Sequence, residues 1–266
     1  DGKIIDVSEA LALMTRKTLL VVVDTHKSSF VDFPTLYEKA SATVVIDHHR
    51  KSVDHIKDAL IFFHDPNASS TCEMVTELMR YITPAPTLSP VEAQAMLAGI
   101  MLDTKEFVLS TGVRTFEAAA FLKGKGADTV AVKRLFSNSI ESNRKRSEII
   151  SAAHIYRGCA IACTAPGTEN ARLLSAQAAD ELLEVSGVKA SFVIFDSGND
   201  SVNISARSYG DLNVQIIMEY LGGGGHRTMA AAQLTGVNME EAKSKLCEAI
   251  DAKYPRTDGE EPTPIS

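Results

Sequence analysis

The stretch Thr43-Val44-Val45-Ile46-Asp47-His48-His49 constrains the chain more than any other. A β-branched apolar run belongs in a buried strand, and this one ends abruptly on an acid and two imidazoles. Those three groups cannot enter a dry core unpaired. In a parallel sheet such a strand delivers its polar tail to the crevice beyond the carboxyl ends, where ligands bind. A carboxylate and neutral imidazoles gathered there can hold a divalent cation.

A second run, Leu19-Leu20-Val21-Val22-Val23-Asp24, repeats the pattern and is expected to be a buried strand ending in an acid. Between the two, residues 34–40 fit a crossover helix with Pro34 in its first turn. Strand, crossover, strand is a βαβ unit, so its strands run parallel and bring Asp24 and Asp47 to one edge of the sheet. Two such acids, with His48 and His49 beside one of them, favour a metal site over isolated surface groups. Aspartate and histidine without thiolates suit Mn²⁺, Fe²⁺ or Mg²⁺ better than structural zinc.

Further along, residues 60–63 read as a third strand. Ser70 and Glu73 have capping-box spacing for a helix reaching about residue 81. Ser69, Ser70 and Thr71 at that helix start could touch a phosphate, but capping is their ordinary role. Residues 91–102 form a helix that runs into Asp103, an acid at the end where the helix dipole disfavours it. Thr115 is expected to cap a helix over 116–122, and residues 130–156 to be mostly helical, a charged connector.

The second part has strands at 159–164, 190–195 and 201–206, the last two joined by the turn sequence Ser197-Gly-Asn-Asp. Helices are expected at 176–185, 213–220 and 239–252. The run Leu221-Gly222-Gly223-Gly224-Gly225-His226-Arg227 lacks the serines and polar residues of a linker. Main-chain N–H groups in such a run can approach a phosphate, with His226 and Arg227 adding charge. Arg207 ends the strand shortly before this loop, and for it a surface ion pair and a ligand contact weigh equally.

Composition narrows the class. Of 266 residues, 45 % are apolar and the net charge is −7. No apolar run reaches the roughly 18 residues of a membrane span. The acidic balance argues against long nucleic acid as a partner, while a small anionic ligand remains compatible if a metal and local cations offset the field. The four cysteines, Cys72, Cys159, Cys163 and Cys247, form no CxxC pair and read as reduced thiols. The opening Asp1-Gly2-Lys3 lacks an initiator Met, as in a processed piece.

The motifs have a family likeness. Val45-Ile46-Asp47-His48-His49 resembles the signature of the DHH phosphoesterase superfamily, and Gly222 to His226 that of its type-1 DHH-associated domain. The segments Ile204-Ser-Ala-Arg-Ser208 and Asn213-Val-Gln look most like the branch of GdpP-type cyclic-di-AMP phosphodiesterases. The resemblance covers nearly the whole chain. It implies an α/β fold: a parallel-sheet DHH domain over 1–150, a smaller DHH-associated α/β domain with a mixed sheet over 151–254, and a cleft between them; the polar, Pro-containing tail over 255–266 is expected to be disordered from its composition. It implies two Mn²⁺ ions per site in the intact parent, with Asp24, His48 and Asp103 as ligands. Asp47 would fix a ligand and His49 would face the scissile phosphate. Arg207, Gly222, Gly223, Gly224, Gly225 and His226 would hold a cyclic dinucleotide.

The implied reaction is hydrolysis of cyclic di-AMP to linear pApA, and on to AMP, by in-line attack of water with the 3′-oxygen leaving. The family's first motif, a His and an Asp-x-Asp pair that supply the other ligands, has no counterpart here and would lie upstream. The resemblance also implies a homodimer and a cytoplasmic domain of a bacterial parent anchored in the membrane by upstream segments. Two alternatives share these residues: a nanoRNase or pAp phosphatase acting on short linear oligonucleotides, and a non-catalytic fragment that binds cyclic dinucleotides.

Overall fold

The computed structural model describes residues 4–51, 53–82, 84, 86–198 and 200–255. The expected tail from residue 256, and Asn199 of the hairpin turn, lie outside the described residues. The chain divides into two compact units, Asp1–Ser137 and Asn138–Ser266.

In the first unit, α1 (Val7–Leu13) leads to β1 (Leu19–Val23), α2 (Pro34–Lys39), β2 (Ala42–Asp47) and β3 (Ile61–His64). The three strands form a parallel sheet in the order β1-β2-β3, with Val23 opposite Ile46 and Asp47 opposite His64. The βαβ expectation therefore holds. The expected full burial of β1 does not. It is an edge strand: Val22 packs with Val45 and Ile56, while Leu19, Val21 and Val23 are about half exposed. Alternation along a strand places these residues on opposite faces, and one face is uncovered.

Helices α3 (Thr71–Met79), α4 (Pro90–Asp103), α5 (Val113–Gly124) and α6 (Thr129–Leu135) complete this unit. Ala93, Leu97, Ile100, Ala118, Leu122 and Val132 are buried together between α4, α5 and α6. Two end signals resolve differently from the sequence reading. Ser70 caps α3 by accepting from the Glu73 N–H, but Glu73 turns its carboxylate to the Ser69 hydroxyl. The reciprocal capping box sits instead on α4, between Ser89 and Glu92. Thr115 lies inside α5, where its hydroxyl accepts from the Gly112 N–H.

In the second unit, residues expected to extend one long helix break at 136–139. They resume as α7 (Ile140–Ser151) and then turn into β4 (His154–Tyr156). There follow β5 (Cys159–Cys163), α8 (Ala171–Leu182), β6 (Ala190–Gly198), β7 (Ser201–Ser208), α9 (Val214–Tyr220), β8 (Gly224–Gly225), β9 (Met229–Thr235) and α10 (Met239–Lys253). The strands form one mixed sheet in the order β4-β5-β6-β7-β9-β8, in which only β5 and β6 pair in parallel.

Strand alternation sorts this sheet into two cores. Phe192, Ile194, Ile204 and Ala206 point to α9 and α10, meeting Ile217, Met218, Leu246 and Ile250. Ala160, Ala162 and Val193 point to α7 and α8, meeting Ile149, Leu174, Ala178 and Leu182. The four cysteines are free thiols. No helix among the described residues is long and apolar enough to cross a membrane.

Candidate functional site

Parallel pairing sets the site. The Asp24 N–H bonds the Ile46 carbonyl at 3.0 Å, which carries β1's pairing one residue beyond the strand and fixes Asp24 beside Asp47. Asp24 itself has φ 63°, a left-handed conformation that non-glycine residues seldom hold without a surrounding constraint. The Thr71 hydroxyl donates to its Oδ1 at 2.9 Å, tying the carboxylate to the start of α3.

His48 is the meeting point. Its Nδ1 lies 3.3 Å from the Ala68 carbonyl, which places the proton on Nδ1 and leaves Nε2 with a lone pair. That Nε2 lies 3.6 Å from Asp24 Oδ1 and 3.7 Å from Asp103 Oδ2. Such distances exceed a hydrogen bond, and they suit ligands grouped about an ion at roughly 2.0–2.2 Å. Donor atoms of Asp24, His48 and His49 also lie within 4.8 Å of one another. Asp103 therefore joins the group through His48, and His49 belongs to it as well.

Asp103 is the last residue of α4. Burial pushes its carboxyl above the usual range, opposed by His48 and reinforced by the negative charge of Asp24. Beyond it the chain makes a left-handed turn at Lys105, Glu106 and Phe107. The Thr104 hydroxyl pins that turn by accepting from the Phe107 N–H at 2.9 Å.

Asp47 is fully buried. It accepts from His49 Nδ1 at 2.8 Å and from the His49 N–H at 3.2 Å, and it pairs with Nδ1 of the buried His26. Burial opposes ionisation, yet the hydrogen bonds from His49 and His26 hold the carboxyl well below the ordinary carboxylate range. The same bond raises the His49 imidazole above its ordinary value, against burial. With Nδ1 engaged, His49 keeps Nε2 for a ligand. His26 escaped sequence reasoning. Its signal was its place two residues after Asp24, just past a strand end.

The two acids and the imidazole thus fit a divalent cation. The acids stand close enough to repel each other, one imidazole is oriented with its lone pair toward both, and no thiolate takes part. The sequence-predicted Asp24, Asp47, His48, His49 and Asp103 form one cluster in the first unit.

The remaining predicted residues lie in the second unit, where Gly222 and Gly223 are not among those that line its cavity. A cavity of about 700 Å³ is lined by Arg207, Gly224, Gly225 and His226, together with Arg172 and Ser205. Arg207 makes an ion pair, as weighed for it, but a largely buried one rather than one at the surface. Its Nε donates to Asp180 at 3.0 Å, and its side chain forms part of the cavity wall. Arg227 turns elsewhere, donating to the Gly210 carbonyl at 2.9 Å.

The glycine run divides by cause. A Cβ on Gly223 would stand 2.1 Å from the Ala231 carbonyl oxygen, and one on Gly225 2.5 Å from Ala230 Cα. Gly222 has φ 80°, while a Cβ on Gly224 would meet nothing. Gly223 and Gly225 are thus required by backbone packing of the loop and β8 against β9, a pairing absent from the sequence reading. Gly223→Ala is expected to lower stability by about 1–3 kcal/mol, from overpacking. Gly224→Ala should stay within about 0.5 kcal/mol of the parent. Chemical denaturation of the two variants checks the contrast.

Comparisons with known proteins agree with this division. Residues 4–100 match the DHH family N-terminal domain, and residues 160–254 match the DHHA1 domain. The chain is 51 % identical over 243 residues to the cyclic-di-AMP phosphodiesterase GdpP of Geobacillus thermodenitrificans, covering 91 % of this chain and 37 % of that protein. It is 46 % identical to GdpP of Bacillus subtilis, covering 95 % and 39 %. It is 45 % identical to the cyclic-di-AMP phosphodiesterase PdeA of Listeria monocytogenes, covering 92 % and 37 %. The chain thus spans less than two fifths of the length of these relatives. An exopolyphosphatase-related protein from Bacteroides fragilis has the same fold, with a TM-score of 0.76 at 21 % identity, over 89 % of this chain and 72 % of that one.

Proposed function

We propose that this chain, which belongs to the DHH phosphoesterases and joins a DHH N-terminal domain to a DHHA1 domain, is the hydrolytic part of a cyclic-di-AMP phosphodiesterase yielding linear pApA. The observation that carries the reading is the convergence of Asp24 and Asp103 on the Nε2 of His48. The substrate rests on the 51 % and 46 % identities to proteins named for that activity.

Asp24, His48 and Asp103 would hold the cation, with His49 adjoining. Their carboxylate and imidazole donors suit Mn²⁺. When bound, such an ion supplies Lewis-acid charge at the phosphoryl oxygens and lowers the pKa of water.

The protein's own groups do the rest. The Ala68 carbonyl holds the His48 ring in one tautomer, and Thr71 holds the Asp24 carboxylate. Asp47 fixes His49 through Nδ1, so the ring presents Nε2 to an incoming phosphate. As a cation with its proton held by Asp47, His49 can donate to a phosphate oxygen and offset the charge that grows there in the transition state. In the second unit, Arg207 supplies positive character to the cavity wall, His226 adds an imidazole to it, and Gly224 leaves its backbone open to a phosphate.

The test is hydrolysis of cyclic di-AMP by the full-length protein with Mn²⁺, with and without excess chelator, beside linear pApA and pAp as rivals. Loss of pApA production on chelation, restored by Mn²⁺, is expected. Cleavage of the linear substrates alone would transfer the reading to an oligoribonuclease. Binding without turnover in any metal would leave a binding module.

A further inference from the structure

The cavity in the second unit has another end, which the reaction above leaves without a role. Strand pairing sets Phe195, Asn203 and Gln233 side by side across β6, β7 and β9. All three line the cavity. They share a sheet face with Ser205 and Arg207, because residues two and four apart on β7 point the same way. α8 packs on β6 and β7, and the cavity opens where this face continues onto β9 and β8.

The two ends differ in chemistry. Arg207, Gly224 and His226 belong to the cationic end. Four residues back along β7, about 13 Å away, the wall carries an aromatic ring and two carboxamides, and Arg172 from the start of α8 also lines the cavity. Phe195 is 5 % exposed and forms part of the wall. Asn203 Oδ1 is enclosed and has no hydrogen-bond partner among the described residues. Buried amide oxygens are rarely left so, and a donor from a ligand would satisfy this one. The Gln233 Nε2 donates to the Ser201 hydroxyl at 3.2 Å, which fixes that amide and assigns its oxygen as the acceptor.

A carboxamide presents a donor and an acceptor side by side. That pair matches the 6-amino group and neighbouring ring nitrogen of adenine. An apolar ring beside it suits the flat face of an unstacked base. The cavity volume also lies within the roughly 300–1,000 Å³ of small-ligand sites.

We infer that Phe195, Asn203 and Gln233 form a base-reading subsite that selects adenine, with the attached phosphate directed toward Gly224 and His226. This rests on the nucleotide reading above and adds a specificity that the cationic end cannot provide. Phe195 gives the base an apolar wall, and the two amides read its edge.

The test separates this inference from the reaction. Calorimetry is done on the whole chain with chelator present, so that the acidic cluster takes no part, using AMP, GMP and ribose 5-phosphate. AMP is expected to bind at least about tenfold more tightly than either rival, the loss of one or two good hydrogen bonds accounting for the difference. Asn203→Leu is expected to erase that preference while leaving the ribose 5-phosphate affinity unchanged. Gln233→Leu provides a second variant should the first fold poorly, with thermal unfolding as the check on both. Equal binding of AMP and ribose 5-phosphate by the parent protein, absence of AMP binding, or an adenine preference intact in both variants would overturn the subsite. Asp103→Ala supplies the distinction: it should keep the AMP preference while losing turnover. A parent protein that prefers AMP yet hydrolyses no cyclic dinucleotide would refute the reaction and leave the subsite standing.

Discussion

Asp103→Ala is expected to reduce kcat for cyclic di-AMP at saturating Mn²⁺ by about 10³-fold or more, a barrier increase of about 4 kcal/mol. The carboxylate is one of two acids facing His48 Nε2, and alanine leaves the imidazole with Asp24 alone. The loss should not come from unfolding. Burial and the charge of Asp24 both disfavour the ionised carboxyl, so removing it relieves a cost in the metal-free protein. Thermal unfolding gives the independent reading. Without metal the variant should melt no lower than the parent. With Mn²⁺ it should gain less, because stabilisation by a ligand grows with the logarithm of its concentration over Kd. Equal turnover, or an equal Mn²⁺-induced rise in Tm, would remove Asp103 from the site.

Asp47→Ala is expected to act by another route and to cost about 3–5 kcal/mol of stability in the first unit. The carboxylate is fully buried between His26 and His49, and it also takes the His49 N–H. Alanine removes the acceptor from two imidazoles at once and leaves a cavity at the end of β2. Urea unfolding should show the midpoint falling, with Asp47→Asn intermediate because its oxygen still accepts one of the bonds. Whatever folded Asp47→Ala protein remains should be impaired in turnover at full metal occupancy, since His49 loses its orientation. A stability within about 0.5 kcal/mol of the parent, the range of neutral surface changes, would show that the pairing carries little weight.

The two strands that lead to Asp24 and Asp47 were legible because their chemistry changes within one residue. Val23 gives way to Asp24 and Ile46 to Asp47, and parallel pairing then places the two acids without further information. Asp103 was legible as an acid at the wrong end of a helix. His26 was not, since a histidine outside any regular element carries no periodic signal, and only the fold brings it under Asp47. β1's exposed face was hidden for a related reason: an apolar run reads as buried, and coverage of each face depends on elements distant in sequence. The glycine run was legible as special but not in its cause. Close approach to β9 involves backbone atoms, which leave no side-chain pattern. Asn203 and Gln233 lay on strands whose alternation could be read, but their shared row across β7 and β9 depends on register, which short apolar strands of this kind do not declare.

The Asp24 amide bonded to the Ile46 carbonyl has a consequence for insertions and deletions. Losing one residue within β1 would swing the Asp24 side chain to the opposite side of the sheet. Losing two would restore its side but draw it back by about 7 Å. Extra residues in the crossover around α2, by contrast, would enlarge a surface excursion and leave the carboxylate where it stands. Length variation among natural sequences of this kind should therefore collect between residues 28 and 41, beyond the buried His26, and spare the five positions before Asp24.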